Sequence, residues 1–351
     1  MNVKSLFLLL LLLAGFASCS SNGDDEIPES EKASLTLKLV PQGGYGTKAD
    51  DTSIKAWASE SNVNSYVILI FRSDATSPLV LSGTNTNAGI ITTEEMPVGT
   101  IVNAYAFVNL SEAVAASVKN VTKEDELPAL IESLNVQNTN NLTMASTGPA
   151  SLRLAADNNT LNVNITRLVS RIQVSSINTK FVVANNYTVQ IDKLELANAK
   201  MSSLLYSNKA VYVADSELKS DFSMANQLID PKNIVSNASP LIFNNKSDQS
   251  DGQKTIPYGY VFENTNAETP TQLLLTATLM DENSKVISIR KFTVTVNSAG
   301  TSGADAHRYV KRNYIYDLGL TFNDESFDMA ALVVKVTVVP WGSVRQVTEV
   351  D

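Results

Sequence analysis

Leu161-Asn162-Val163-Asn164-Ile165-Thr166, running directly into Arg167-Leu168-Val169-Ser170-Arg171-Ile172-Gln173-Val174, carries the period that decides the fold. Apolar residues at every second position put Leu161, Val163 and Ile165 on one face of an extended chain and the asparagines on the other, the pattern of a strand with one buried side. The same alternation, or a short apolar run bounded by Asn, Gly, Asp and Ser, recurs at Tyr187 to Leu196, Gln272 to Leu279, Val286 to Val296 and Tyr314 to Phe322. Tyr66 to Phe71 and Ile101 to Val108 are apolar at nearly every position and predict strands buried on both faces. Ser111 to Leu134 is one of the few stretches with a helical period: Thr122 stands three residues before Asp125 as a helix start, and Leu127, Leu130, Ile131 and Leu134 share a face. The expected fold is mainly β, with two tandem β-sandwich-like domains, few short helices, a boundary near residue 167 and long polar loops at 215–256.

The beginning of the chain fixes an expected compartment. Lys4 supplies a short positive region, Leu6 to Leu13 is apolar, and Phe16-Ala17-Ser18-Cys19 reads as a small-residue cleavage site ending in the only cysteine. This is similar to a bacterial lipoprotein signal, in which residues 1–18 are removed and the sulfur of Cys19 carries a diacylglycerol. An ordinary secretory signal with an incidental cysteine is the simpler alternative, and the apolar run is shorter than the ~20 residues that span a bilayer as a helix. Ser20-Ser21-Asn22-Gly23-Asp24-Asp25-Glu26 resembles the surface-export signal of Bacteroidales lipoproteins. With no second cysteine there is no intrachain disulfide, so stability rests on core burial. The 351 residues are enough for two cores. Loss of residues 1–18, with one Lys and no acid, takes the net charge from -9 to -10, and no basic stripe offers itself to nucleic acid.

Two further segments stand out. Ser34 to Val40 alternates, with Leu35, Leu37 and Leu39 on one face, and is followed by Pro41-Gln42-Gly43-Gly44-Tyr45-Gly46-Thr47-Lys48-Ala49-Asp50-Asp51, a stretch expected to be an exposed loop open to a trypsin-like protease. Near the other end, Leu332, Val334, Val336 and Val338 lie on one face of a second alternating strand, followed by Pro340 and Trp341 and by a weaker strand from Val344 to Val350. So apolar a strand needs a partner, either as the last strand of its own domain or in another chain.

Taken together, these segments resemble the fimbrial subunits, or fimbrilins, of type V pili from Bacteroidales, most closely the shaft subunit of the short, minor-type fimbriae. The resemblance runs through the signal end at 16–19, Lys48-Ala49, Val102-Asn103-Ala104-Tyr105-Ala106-Phe107-Val108-Asn109 and Arg167-Leu168-Val169-Ser170-Arg171. It continues through Tyr260-Val261-Phe262-Glu263-Asn264, Lys311-Arg312-Asn313-Tyr314-Ile315-Tyr316 and Val333-Val334-Lys335-Val336-Thr337-Val338-Val339-Pro340-Trp341. Two positions depart from the pattern: Lys48 stands where the best-known relatives have arginine, and the chain ends in Asp351 where relatives often end in an aromatic residue.

The resemblance implies transthyretin-like sandwich domains at 49–166 and 167–330, a propeptide at 19–48 and a donor-strand segment at 331–351. It also implies a lipidated precursor on the outer membrane, whose first strand plugs a groove in its own N-terminal domain until a protease cuts between Lys48 and Ala49. The plug is then Leu35, Leu37 and Leu39. Its removal exposes unpaired backbone and an apolar floor, a template for strand addition, which Leu332, Val334, Val336 and Val338 of another subunit fill. At ~1.5–3 kcal/mol for each buried side chain the gross gain is on the order of 10 kcal/mol before ordering costs. Such a head-to-tail contact does not close and so makes filaments. Residues 19–48 hold five acids and three lysines, so the cut subunit carries -8 and no lipid. Implied partners are other copies of itself, anchor and tip subunits, and host or bacterial adhesion ligands, at the cell surface; no cofactor is implied.

Enzymatic chemistry finds little support in the residues. His307 is the only histidine, which leaves any triad dependent on one residue, read here as solvated. There is no Walker-type loop. Asp24-Asp25-Glu26 and Glu124-Asp125-Glu126 read as exposed acidic faces. Asn-X-Ser/Thr sites such as Asn120 and Asn164 reflect a polar β surface, and of the two tryptophans, Trp57 and Trp341, as sugar-stacking candidates, the second is more simply packing at a strand end. Within the fimbrial class, a cut site favours shaft over anchor and a free C-terminal strand favours shaft over tip. A nonpolymerising surface lipoprotein that binds glycans or host protein is the alternative from another class.

Overall fold

The computed structural model describes residues 31–42, 57–84, 90–182, 187–206, 224–228, 241–244, 258–303, 306–329 and 332–341. The first half contributes β1 (Lys32–Ala33), β2 (Thr36–Pro41), β3 (Ser65–Arg72), β4 (Leu79–Thr84), β5 (Ile90–Thr92), β6 (Met96–Pro97), β7 (Ile101–Val108), β8 (Ile131–Ser133), β9 (Met144–Ser146), β10 (Ala150–Arg153) and β11 (Thr160–Arg167). The second half contributes β12 (Val169–Lys180), β13 (Thr188–Lys200), β14 (Ser202–Leu204), β15 (Met224–Leu228), β16 (Leu241–Asn244), β17 (Tyr258–Phe262), β18 (Gln272–Met280), β19 (Val286–Thr295), β20 (Tyr314–Asn323) and β21 (Val333–Pro340). The mainly β expectation holds, and the strands lie close to the residues their periods predicted.

An eight-stranded sheet in the order β4-β3-β7-β9-β11-β2-β5, with β10 against β7, forms the first layer. The continuous apolar run of β3 serves two cores, because successive side chains point to opposite faces. Ile68 and Ile70 join Val102, Ala104, Ala106, Met144, Leu161, Val163 and Ile165 in one cluster together with Leu35, Leu37 and Leu39. Since β2 and β3 are separated by three strands in the sheet yet share this core, the sheet curls over its own apolar face. Val67 and Leu69 point the other way, into a cluster with Tyr105, Phe107, Leu168, Val169, Tyr260, Phe262 and Trp341. That second core is therefore built from both halves of the chain.

In the second half a four-stranded sheet, β17-β12-β20-β21, faces a five-stranded one, β15-β13-β18-β19 with β16 on β13. Ile172, Val174, Leu318 and Leu320 from the first pack on Leu194, Leu196, Leu273, Leu275 and Phe292 from the second. This is sheet-on-sheet packing, in which inward residues of both layers interdigitate.

The helix expected from Ser111 to Leu134 does not form as one unit. The chain makes α1 (Glu112–Lys119), a 3-10 turn at Glu124–Ala129 and then β8, which pairs with β14. Pro128 inside the turn offers no N–H and cannot continue a helical ladder. The Thr122 N–H and hydroxyl both donate to the Glu126 carboxylate, at 2.7 and 3.0 Å, closing the turn locally. Leu127 and Leu134 are still buried, through separate elements rather than one helical face.

Candidate acceptor groove and its anchoring network

Strand β2 occupies a slot between two neighbours. It runs parallel to β11, with Leu37 opposite Leu161 and Leu39 opposite Val163, and antiparallel to β5, with Leu37 opposite Ile91. Leu35 and Leu37 have no exposed surface, while Lys38 on the other face is exposed. Both ends are pinned. At the start Leu35 exchanges bonds with Thr93, its N–H donating to Thr93 Oγ1 at 3.0 Å and its carbonyl accepting the Thr93 N–H at 2.9 Å. At the finish the Gln42 N–H donates to the Ile165 carbonyl at 2.7 Å, and the Gln42 amide donates to Asn164 Oδ1 at 2.9 Å. Lifting β2 out would leave the backbone edges of β11 and β5 unpaired above a floor of Ile91, Leu161, Val163 and Ile165.

The Gln42 carbonyl leads to a second feature that periodicity does not reveal. It accepts a 2.9 Å bond from Asn313 Nδ2, and Asn313 Oδ1 accepts from Arg167 Nη1 at 3.3 Å. Arg167 also donates to the Glu60 carbonyl at 2.9 Å and to Ser61 Oγ at 2.6 Å. The Glu60 carboxylate takes Arg171 Nη1 on both oxygens at 2.7 Å, the Tyr260 hydroxyl at 2.8 Å, the Trp341 indole N–H at 3.1 Å and the Trp57 backbone N–H at 2.8 Å. Trp57 lies over the Arg171 guanidinium at 3.8 Å and Trp341 over that of Arg167 at 5.0 Å. Glu60, Arg167 and Arg171 are each 1% exposed. Charges this deep persist because they are paired and hydrogen-bonded.

The electrostatics follow from burial. Desolvation pulls the Arg167 guanidinium down to about 10, against the pull of Glu60 and Tyr260 in the opposite direction. Desolvation, then the Glu60 charge, pushes the Tyr260 phenol well above its ordinary value, and desolvation followed by Glu124 does the same for Tyr105. Among the described residues, no group of three His, Cys, Asp or Glu side chains is placed to hold a metal, and no helix is long and apolar enough to cross a membrane.

The C-terminal segment packs on its own chain. β21 pairs antiparallel with β20 from Val333 opposite Thr321 to Pro340 opposite Tyr314, and Leu332, Val334, Val336 and Val338 lie half-buried against the core between the second-half sheets. Trp341 has no exposed surface, which leaves it no room to stack on a sugar. The leucines of β2 and the alternating residues of β21 thus belong to different cores within one molecule. Cys19, Lys48 and Ala49 lie outside the described residues, as do the strand read at Val344 to Val350 and most of the loop from Pro41 to Asp51.

His307 corrects an expectation. It is 7% exposed rather than solvated: Nε2 lies 2.9 Å from the Tyr316 hydroxyl, Nδ1 lies 3.2 Å from Thr301 Oγ1, and the ring packs on Tyr314 with centroids 4.6 Å apart. Its charged neighbours in sequence suggested a surface position, but contacts with β20 bury it. Glu60 was not legible as a site residue at all. The one available signal was the pair of arginines, Arg167 and Arg171, set among apolar strand residues that demand a buried acid somewhere.

A β architecture with β2 lodged inside the first sheet and a two-part arrangement of sheets is the fold of structural subunits of the fimbrial class. Residues 168–346, just over half of the chain, match the family model described as "Fimbrium tip subunit Fim1C-like, C-terminal domain", and the chain belongs to this family. A candidate fimbrium tip subunit, Fim1C, of Parabacteroides distasonis is 26% identical over 93% of this chain and 88% of its own length. Among solved structures, one described as a candidate cell adhesion protein of the same species overlays with a TM-score of 0.68 at 22% identity, covering 90% of this chain and 99% of that one. The fimbrilin FimA of Porphyromonas gingivalis overlays with a TM-score of 0.56 at 15% identity, covering 91% and 99%. These two overlays establish the common fold. As a fimbrial subunit, the chain works on the cell surface in adhesive fimbriae and assembles with other fimbrial subunits.

Proposed function

We propose that the chain is made as an outer-membrane lipoprotein precursor, with residues 1–18 as signal and Cys19 as the lipid site, and becomes an acceptor subunit when a trypsin-like protease cuts between Lys48 and Ala49. Residues 19–48, carrying β2, then leave, and a strand from another subunit takes the slot between β11 and β5. The observation that carries this reading is the position of β2: a short N-terminal strand, interior to the sheet, with Leu37 and Leu39 buried within it and Leu35 buried just before it. An interior strand supplied by a separable segment is what strand addition can replace. The domains at 49–166 and 167–330 and the donor segment at 331–351 belong to the same proposal.

Its place in the filament turns on β21. A shaft subunit must give up Leu332 to Val338 to a neighbour, and here that requires stripping eight paired residues from β20 and drawing Trp341 out of the Glu60 network. A tip subunit needs no such release, and the relative named as a tip subunit is of the same family. The tip is therefore favoured over the shaft position expected from sequence. The shaft reading keeps one observation in its support, the common two-residue spacing of Leu35, Leu37 and Leu39 and of Leu332, Val334, Val336 and Val338. Adhesion to host or bacterial ligands follows from a surface fimbrium in either position.

The deciding measurement is the N-terminal sequence and intact mass of the chain in filaments sheared from its native cells. A start at Ala49 without lipid is expected. A start at acylated Cys19 would sink the exchange. Immunogold labelling confined to filament ends is expected for the tip, whereas labelling along the length would return the chain to the shaft.

A further inference from the structure

The plug strand and the C-terminal strand meet at one residue. Asn313 Nδ2 donates to the Gln42 carbonyl at 2.9 Å, at the end of β2, while the Asn313 main-chain carbonyl accepts the Trp341 N–H at 3.0 Å, at the end of β21. Between these contacts Asn313 is 5% exposed and holds a left-handed backbone with φ 64°. Its own N–H donates to the Val169 carbonyl at 3.0 Å and its Oδ1 accepts from Arg167. A non-glycine residue keeps that backbone only where its surroundings over-determine it, and one of the four restraints comes from the segment that the proposed cut removes.

We propose that Asn313 is a latch through which an occupied groove holds the C-terminal strand closed. The inference rests on reading β2 as removable. With β2 in place, Gln42 fixes the Asn313 amide, Asn313 fixes the main chain of Trp341, and Trp341 sits with its indole N–H on Glu60. With β2 gone, Asn313 Nδ2 is left as a buried donor without that acceptor, and the end of β21 loosens. A donor strand long enough to present a carbonyl where Gln42 stood restores the restraint. The subunit thereby reports at its C-terminal end whether its groove is filled: β21 is held closed while the groove is occupied and is loosened at its end while the groove is empty.

Coupling of this kind is reciprocal, because whatever biases one end through a shared element is biased by the other to the same degree. The test is amide-resolved hydrogen exchange on the uncut full chain and on two variants. Asn313→Asp keeps the acceptor for Arg167 but sets a carboxylate against the Gln42 carbonyl; Asn313→Gly keeps the left-handed backbone and removes both side-chain bonds. In each variant the Trp341 amide and the Gln42 amide should exchange faster together, by about tenfold for one lost buried hydrogen bond, while β3 and β7 amides are unchanged. Acceleration at one end alone, or at neither, overturns the latch. If neither variant folds, the wild-type chain answers in sub-denaturing urea: the Gln42 and Trp341 amides should open with the same free energy, and separate openings overturn the proposal. All of these readings are made on the uncut monomer, so their failure is distinguishable from a failure of processing at Lys48.

Discussion

Both carboxylate oxygens of Glu60 lie 2.7 Å from Arg171 Nη1, across 111 positions of sequence, and neither side chain is more than 1% exposed. This pair ties a 3-10 turn at Ala58–Ser61 in the first half to β12 in the second. Removing one member of a buried pair leaves the other charged and unpaired, at a cost of about 3–5 kcal/mol. Glu60→Ala is expected to destabilise by that amount, and Glu60→Ala with Arg171→Met by less, because Arg171 no longer adds a second stranded charge to that of Arg167. Urea denaturation midpoints of the two variants check the order; an equal or larger loss in the double variant would contradict it.

Leu37 has no exposed surface and is the second residue of β2. Leu37→Ala is expected to lower the stability of the uncut chain by about 2–5 kcal/mol. If β2 is replaced by a donor strand, as proposed, the same substitution has no effect on filament stability. Thermal unfolding of the precursor, set beside dissociation of filaments from variant cells, separates the two states.

His307 bridges Thr301 and Tyr316 in the interior, so an imidazole-acylating reagent should leave it unmodified until the protein unfolds. Rapid modification of the folded chain would contradict this placement. His307→Ala removes one buried hydrogen bond to Tyr316, whose hydroxyl keeps the Lys311 N–H at 2.7 Å, and is expected to cost about 1 kcal/mol for that bond besides the lost ring packing.

Alkaline pH should expose the buried phenols. Burial and the charge of Glu60 raise the ionisation of Tyr260 above its ordinary value, and burial with Glu124 does the same for Tyr105. For a group whose folded value is raised, the stabilisation is fully present below the unfolded value of about 10 and is lost as the pH rises beyond it. Spectrophotometric titration should therefore find these two tyrosines ionising only together with unfolding, and stability should fall as the pH rises above about 10. Normal, reversible titration of every tyrosine in the folded chain would contradict the burial of these two.

Local pattern was enough to find the strands. Leu35, Leu37 and Leu39 alternate into one core, and the unbroken run from Val67 to Ile70 serves two, because a strand's side chains take opposite faces whatever lies around it. A helical period between Thr122 and Leu134 misled for the converse reason: Pro128 and pairing of β8 with β14 overrode it, and no window of sequence contains β14 as a partner. The residues 167 and 171 announced two cations in apolar surroundings, but the acid that meets them lies more than a hundred residues away.

By itself, then, the sequence determined the β class, the strand positions and the family motifs, all of which are properties of short segments. Only the tertiary structure decided that β2 is interior and parallel to β11, that β21 closes on β20, that His307 is buried, and that Gln42, Asn313 and Trp341 form one connection. Those outcomes depend on which distant segments are brought within hydrogen-bonding reach, and that is fixed by the joint burial of three cores rather than by any local period.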